Sequence, residues 1–390
     1  MRAVTWQGRR SVAVEEVPDP RLVEPDDAII SVTSAAICGS DLHLYEVLGP
    51  FMSPGDILGH EAMGVVEEIG SGVRTLLPGD RVVVPFNIAC GACFMCQQGL
   101  QSQCETTQVR EYGTGAKIFG YSALYGSVPG GQAERLRVPF ADYGPIKIGN
   151  GHPDDRYLYL SDILPTAWQA VAYAELAPRS TVAVIGLGPV GQLAARIAAH
   201  LGHSVIAVDP VSARRDIAAE HGADVLDLGS DTLEEILDRT NGRGADASID
   251  AVGMEAHGPA TKLGFRAVSM LPSVVGRKVM TTAGVDAMGG LLLALHAARR
   301  GGTVSLAGVY GGTADPLPML TMFDRQLQLR MGQCNVRRWI GELMPIVEDA
   351  SDPLGLEHLA TDHLPLSDAA DGYRRFQEKA DGCLKVILRP

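Results

Sequence analysis

The sequence predicts an α/β chain in two parts, a β-rich unit and a doubly wound parallel sheet. Three observations carry that prediction. Short β-branched runs bounded by Gly, Pro and Asp fill the chain up to about residue 150. From Thr181 onward, apolar strands alternate with helical stretches. A Gly-rich turn separates the first strand of that alternation from its first helix.

The β-rich part comes first. Ala3–Trp6, Val12–Val17, Ala28–Ile37, Met63–Ile69 and Arg81–Pro85 read as strands, with a turn at Leu77-Pro78-Gly79-Asp80. Strands this short and regularly spaced suggest a barrel-like or sandwich-like unit. The alternating part then reads as strand Thr181–Ile185, helix Val190–His200, strand Ser204–Val208 and helix Ala213–His221. Asp224–Asp227, Ala247–Asp250 and Thr303–Leu306 are further strands, and Leu291–Arg299 a helix. The segment from about 255 to 288 is too long for a plain loop and reads as an insertion. Two helix-like runs, Trp339–Glu348 and Ser367–Ala380, and a strand, Leu384–Leu388, follow Gln333.

Composition bounds the function. The 390 residues carry 33 Lys and Arg against 46 Asp and Glu, a net charge of −13. That balance argues against a nucleic-acid partner, which would need a basic face. At 46% hydrophobic and 20% charged the chain can bury real cores, which excludes global disorder. Aromatics make up 5%, against 45 Gly and 23 Pro, so the backbone is rich in turns and small-residue contacts. Seven cysteines are too few for a disulfide scaffold, yet four of them lie between Cys90 and Cys104. Met1-Arg2-Ala3-Val4 enters a strand directly, and no apolar stretch approaches about 18 residues. The expectation is a cytoplasmic enzyme with no membrane partner.

Gly186-Leu187-Gly188-Pro189-Val190-Gly191 is a G-x-G-x-x-G after an apolar strand and before an Ala-rich helix. Gly186 makes the tight turn, Gly188 lets a pyrophosphate approach the backbone, and Gly191 lets helix and strand pack. The helix N-terminus offers free N–H groups to that pyrophosphate. Asp209 ends the next strand, 23 positions after Gly186, where it would accept the ribose hydroxyls and repel a 2′-phosphate. NAD is therefore favoured over NADP, a preference that Arg214 and Arg215 soften. Val252, Gly253, Gly308 and Val309 lie at strand ends, where ligands of open α/β sheets bind.

Cys90-x-x-Cys93-x-x-Cys96-x7-Cys104 has spacing that closes a thiolate tetrahedron around one zinc, leaving no position for substrate. An iron–sulfur cluster is the other occupant such a run could hold, but a hydride cofactor makes a one-electron centre unnecessary. Cys334 and Cys383 read as small core residues.

A second set follows a different pattern. Cys38-Gly39-Ser40-Asp41-Leu42-His43 stands after a strand, and Gly59-His60-Glu61-x-x-Gly64-x5-Gly70-x-x-Val73 stands before another. The latter resembles the zinc alcohol dehydrogenase signature of the medium-chain dehydrogenase/reductase superfamily. The Cys38 motif, the His60 signature, the four-cysteine lobe, the Gly186 loop and a tail around Lys385 fall in that family's order and span nearly the whole chain. The resemblance implies a GroES-like catalytic domain over 1–163 and 334–390, with the zinc lobe at 88–106. It also implies a Rossmann NAD-binding domain over 164–333.

By the same resemblance, Cys38, His60 and Asp162 are ligands of a catalytic zinc, and Asp41 orients His60. Asp162, in Leu160-Ser161-Asp162, also fits a plain helix N-terminal acid. Glu61 corresponds to a second carboxylate beside the metal. Ser40 contacts the substrate oxygen, and His43, at the surface, completes a proton relay. Thr166 packs beside the nicotinamide. Lys385 pairs with the pyrophosphate, or is a solvated lysine. The acid third ligand, the insertion and Gly130-Gly131-Gln132-Ala133-Glu134 resemble the glutathione-independent formaldehyde dehydrogenase branch. That branch implies an alcohol or hydrated-aldehyde substrate, NAD that stays bound between turnovers, and aldehyde dismutation when it does. Polyol, sugar-alcohol or threonine oxidation is the rival within the superfamily, and a nonenzymatic NAD- and zinc-binding scaffold the rival outside it. The family also implies a homodimer or homotetramer.

Overall fold

The chain opens as an antiparallel ribbon of β1 (Arg2–Gly8) and β2 (Ser11–Glu16). In the computed structural model, which describes residues 1–253, 288–310 and 317–390, it then builds two units. The first joins Met1–Pro165 to Cys334–Pro390, and the second is Thr166–Gln333.

The first unit is organised by β3 (Ala28–Ile37), with β4 (Glu61–Ile69), β5 (Arg81–Val84), β6 (Arg135–Val138) and β7 (Ile146–Lys147). The returning chain adds β14 (Asp362–Pro365) and β15 (Val386–Arg389). These seven strands form one sheet in the order β14-β15-β3-β4-β5-β7, with β6 pairing β3 off that path. Ala28, Ile30 and Val32 of β3 meet Ala62 and Val66 of β4 and Val82 and Val84 of β5 in one core. The spacing of two is the strand period, which sends alternate side chains to one face.

The second unit contains β8 (Thr181–Ile185), β9 (Ser204–Val208), β10 (Asp224–Leu226), β11 (Ala245–Asp250), β12 (Ala298–Leu306) and β13 (Gln328–Met331). All pair in parallel, in the order β10-β9-β8-β11-β12-β13. The order reverses between β8 and β11, which is where such sheets bind dinucleotides. β8 and β9 are buried along almost their whole length, which is why they read as continuous apolar runs.

The differences from the sequence reading are local. The helix expected over Leu291–Arg299 is Gly289–Ala297; Ala298 turns to extended backbone and begins β12. Two helices that matter to the site, Gly39–Glu46 and Ile163–Tyr173, carry no clear amphipathic period in the sequence. The insertion expected at about 255–288 lies, Met288 apart, outside the described residues. Among the described residues, no helix is long and apolar enough to cross a membrane.

Candidate functional site

Strand register assembles the first site. Ala36 of β3 pairs with Glu61 of β4, and Ile37 pairs with Val386 of β15. Cys38, His60 and Lys385, each next to one of these residues, therefore arrive at the same end of the sheet. Cys38 leaves β3 in extended conformation and starts the helix Gly39–Glu46. Its N–H donates to Asp41 Oδ2 at 2.9 Å, so a carboxylate three residues on closes the helix start. Asp162 comes from the turn Leu158–Ser161, whose Ser161 carbonyl accepts the Phe86 N–H just beyond β5.

The side chains then converge. Asp162 Oδ2 lies 3.4 Å from Cys38 Sγ and 3.2 Å from His60 Nε2. One donor atom each from Cys38, His60, Glu61 and Asp162 lies within 4.8 Å of the others, and all four residues are buried. Ser40 Oγ is 3.1 Å from His60 Nε2. The other ring nitrogen, Nδ1, lies 3.0 Å from Asp41 Oδ1 in a short but bent contact.

The electrostatics fit a cation. Burial, with Asp162 and Glu61 beside it, pushes the Cys38 thiol up to about 11. Burial works against charge on His60, yet Asp41, Asp162 and Cys38 hold its pKa well above the ordinary value. Glu61 Oε2 is buried with no hydrogen-bond partner among the described residues. One thiol, one imidazole and two carboxylates in a dry site thus attract positive charge, and the Cys/His/carboxylate donor set suits zinc.

Lys385 departs from its expected role. It is not a solvated lysine: it is 0% exposed, and its Nζ donates to Glu61 Oε1 at 2.6 Å. A carboxylate buried at the start of β4 needs a counter-charge, and β15 delivers one through its pairing with β3. Burial alone would lower the Lys385 pKa; the Glu61 carboxylate outweighs it and raises the value. Lys385→Met strands Glu61 and is expected to cost about 3–5 kcal/mol in denaturant unfolding, most of it recovered by adding Glu61→Gln. An unchanged unfolding midpoint in the single variant would show that the pair is not needed for stability.

His43 also departs from expectation. It is only 6% exposed, because Asp41–Tyr45, the middle of its helix, is buried without a break.

The four-cysteine lobe forms a second donor set, again with one sulfur from each residue within 4.8 Å of the others. Its own core is little more than Ala89, Cys96, Cys104 and Ala116. Burial would raise the Cys90 thiol, but Thr106 Oγ1, which donates to its sulfur at 3.1 Å, and the N–H groups of Ala92 and Cys93 bring it down to about 6. Thr106 was not singled out from the sequence; a hydroxyl two residues past the last cysteine was the available signal. The lobe also grips the returning chain. Ser102 donates from both N–H and Oγ to Asn335 Oδ1, and Asn87 Nδ2 donates to the Cys334 carbonyl.

In the second unit, Gly186 has φ +89°, and a Cβ there would lie 2.6 Å from Val252 Cγ2. A Cβ on Gly191 would lie 1.8 Å from the Gly186 carbonyl oxygen. On Gly188, the N-cap of the helix Pro189–His200, a Cβ would meet nothing closer than Arg214 Nη1 at 3.9 Å. The first and third glycines are fixed by packing, and the second opens a cradle in front of the Val190 and Gly191 N–H groups at the start of the helix. Asp209 accepts the Leu187 N–H at 2.7 Å and the Val211 N–H at 2.8 Å, which fixes its carboxylate beside the loop. Arg214 Nη1 lies 3.9 Å from Asp209 Oδ2. Gly253 and Gly308 pack backbone to backbone, leaving Val309 49% exposed and Val252 half-buried. Thr166 is half-buried on the helix Ile163–Tyr173. This loop fits a dinucleotide.

A β-rich unit with two zinc-type donor sets and a parallel sheet with a dinucleotide loop define a zinc-type dehydrogenase. The comparisons agree. The alcohol dehydrogenase GroES-like domain family matches residues 24–147, and the zinc-binding dehydrogenase family matches residues 189–268. A zinc-type alcohol dehydrogenase-like protein of Bacillus subtilis is 40% identical over 396 residues, covering 100% of both chains. A glutathione-independent formaldehyde dehydrogenase of Pseudomonas aeruginosa is 34% identical over 400 residues, covering 96% of this chain and 94% of its own. Among solved structures, the alcohol dehydrogenase of Thermus sp. ATN1 superposes with a TM-score of 0.82 at 35% identity, covering 100% of this chain and 99% of that one. The chain belongs to the zinc-dependent alcohol dehydrogenase family of the medium-chain dehydrogenase/reductase superfamily.

Proposed function

We propose that this protein oxidises an alcohol or a hydrated aldehyde of the formaldehyde kind by hydride transfer to NAD. The observation that carries the reading is the buried Cys38, His60 and Asp162 donor set with the Ser40 hydroxyl beside it. The similarity to a formaldehyde dehydrogenase supports the aldehyde arm.

Cys38, His60 and Asp162 would hold the catalytic zinc, and the four lobe cysteines a structural one. When bound, zinc supplies a Lewis acid that makes a substrate hydroxyl more acidic, and NAD supplies the hydride acceptor. Ser40 Oγ, beside His60 Nε2 at 3.1 Å, would take the hydroxyl proton. His43, three residues further along the same helix, would carry the relay onward. Glu61, paired with Lys385, would keep a carboxylate beside a bound metal without adding net charge. For an aldehyde, the gem-diol hydrate loses hydride and a proton and leaves as the carboxylic acid. In the loop, Gly186, Gly188 and Gly191 with Pro189 and Val190 would cradle the pyrophosphate, and Asp209 the adenosine ribose.

Zinc content and a spectrophotometric panel test the reading. Two zinc per chain and NADH formation with formaldehyde or short alcohols are expected. A preference for sorbitol or threonine would shift the assignment to the polyol branch, and one zinc with no turnover would make the protein a binding scaffold. Cofactor choice has its own test. Asp209→Asn removes a charged acceptor, a contact worth about 1.5–3 kcal/mol, so NAD affinity should fall roughly 10- to 100-fold while NADP gains. Unchanged discrimination would remove Asp209 from the ribose site.

A further inference from the structure

We infer that Tyr373 and Gln132 are positioning residues for the catalytic metal, acting through Asp41 to set the ring of His60 and the backbone of Cys38. The inference rests on the reading of Cys38, His60 and Asp162 as a zinc site.

The four groups form one buried line. Tyr373, on the helix Ala369–Glu378, donates its hydroxyl to Gln132 Oε1 at 2.9 Å. Gln132 Nε2 donates to the Ala36 carbonyl at 3.1 Å and to Asp41 Oδ2 at 3.2 Å. Asp41 Oδ1 lies 3.0 Å from His60 Nδ1. Tyr373, Gln132 and Asp41 are each 0% exposed.

Chemistry allows one polarity along this line. The Ala36 carbonyl and the Asp41 carboxylate can only accept, so the Gln132 amide must turn its NH2 to both. That leaves Oε1 facing Tyr373, whose hydroxyl must then donate. Burial pushes the Tyr373 phenol well above its ordinary value, so it keeps the proton it donates. At the other end, Asp41 Oδ1 approaches His60 Nδ1 to 3.0 Å in a bent contact, and a carboxylate there favours a proton on Nδ1, leaving Nε2 for a metal. Asp41 is the branch point, because the same carboxylate accepts the Cys38 N–H. A shift of Asp41 therefore moves two metal ligands at once. The Tyr45 ring, on the helix that Cys38 opens, packs 5.4 Å from the Tyr373 ring and holds the far end of the line in place.

Removing the Tyr373 hydroxyl leaves Gln132 Oε1 buried without a donor. An amide flip would bring that oxygen against the Asp41 carboxylate, so neither orientation satisfies the site. Partners of metal-bound histidines typically contribute 10- to 100-fold in metal affinity, and Tyr373 stands two bonds further out, so about tenfold is expected.

The test uses zinc release from the holoenzyme under a chelator. The protein carries its own control, because the lobe zinc shares the fold but not the line. Cys38→Ala, which keeps only the lobe zinc, identifies that release phase. In Tyr373→Phe the catalytic zinc should leave about tenfold faster while the lobe zinc leaves at the wild-type rate. Unchanged release of both overturns the inference. Equal acceleration of both also overturns it, because the hydroxyl would then act on general stability. Gln132→Met cuts the line one residue nearer the metal and is read the same way if Tyr373→Phe does not fold. Wild-type protein with a single zinc would instead overturn the site reading itself.

Discussion

Cys38→Ala should lower turnover on the order of 10³-fold or more while NAD binding survives. The thiol is one of three donors, and among the described residues the set holds one further donor, Glu61, which is engaged by Lys385. Losing the Lewis acid removes several kcal/mol of transition-state stabilisation, at roughly tenfold in rate per 1.4 kcal/mol. The Gly186 loop belongs to the other unit and shares no residue with the site, so cofactor affinity has no reason to fall. Zinc content should drop from two per chain to one. Wild-type turnover in this variant would remove Cys38 from the metal site.

Cys96→Ala is expected to open the lobe. Structural zinc in small domains contributes on the order of 10 kcal/mol to folding, and a lobe with so little apolar core of its own has nothing to replace it. Limited proteolysis should cut within residues 88–106 of the variant and leave the wild type intact there. The damage should spread to the returning chain, since Ser102 and Asn87 would no longer hold Asn335 and Cys334. A variant that retains two zinc and resists the protease would show that Cys96 is not a ligand.

What the sequence made legible follows from how local each signal is. The Gly186 loop, the four cysteines and the motifs at Cys38 and His60 are short-range patterns whose spacing states their geometry. Asp41 could be placed against His60 because the two motifs share one family pattern. Lys385 could not be placed, because its partner Glu61 is 324 positions away and only the register of β3 with β4 and β15 brings them together. Tyr373 and Gln132, 241 positions apart, are hidden for the same reason. His43 is expected at the surface from the resemblance alone, and a helix buried through Asp41–Tyr45 has no polar face to read against it. Edge strands such as β13, exposed along its length, lack the apolar run that marked β8 and β9.

The arrival of β15 beside β3 has a consequence for biosynthesis. Ile37 and its neighbours wait for Val386–Leu388, so during translation the C-terminal half of β3 lacks one of its two neighbours until those residues, about 350 positions later, have emerged. Over that interval Glu61 lacks its Lys385 partner and β3 presents an unpaired edge, the condition that invites association with other chains. β15 is thus the strand that completes this part of the sheet. Its docking brings Lys385 to Glu61 and closes the edge in one event.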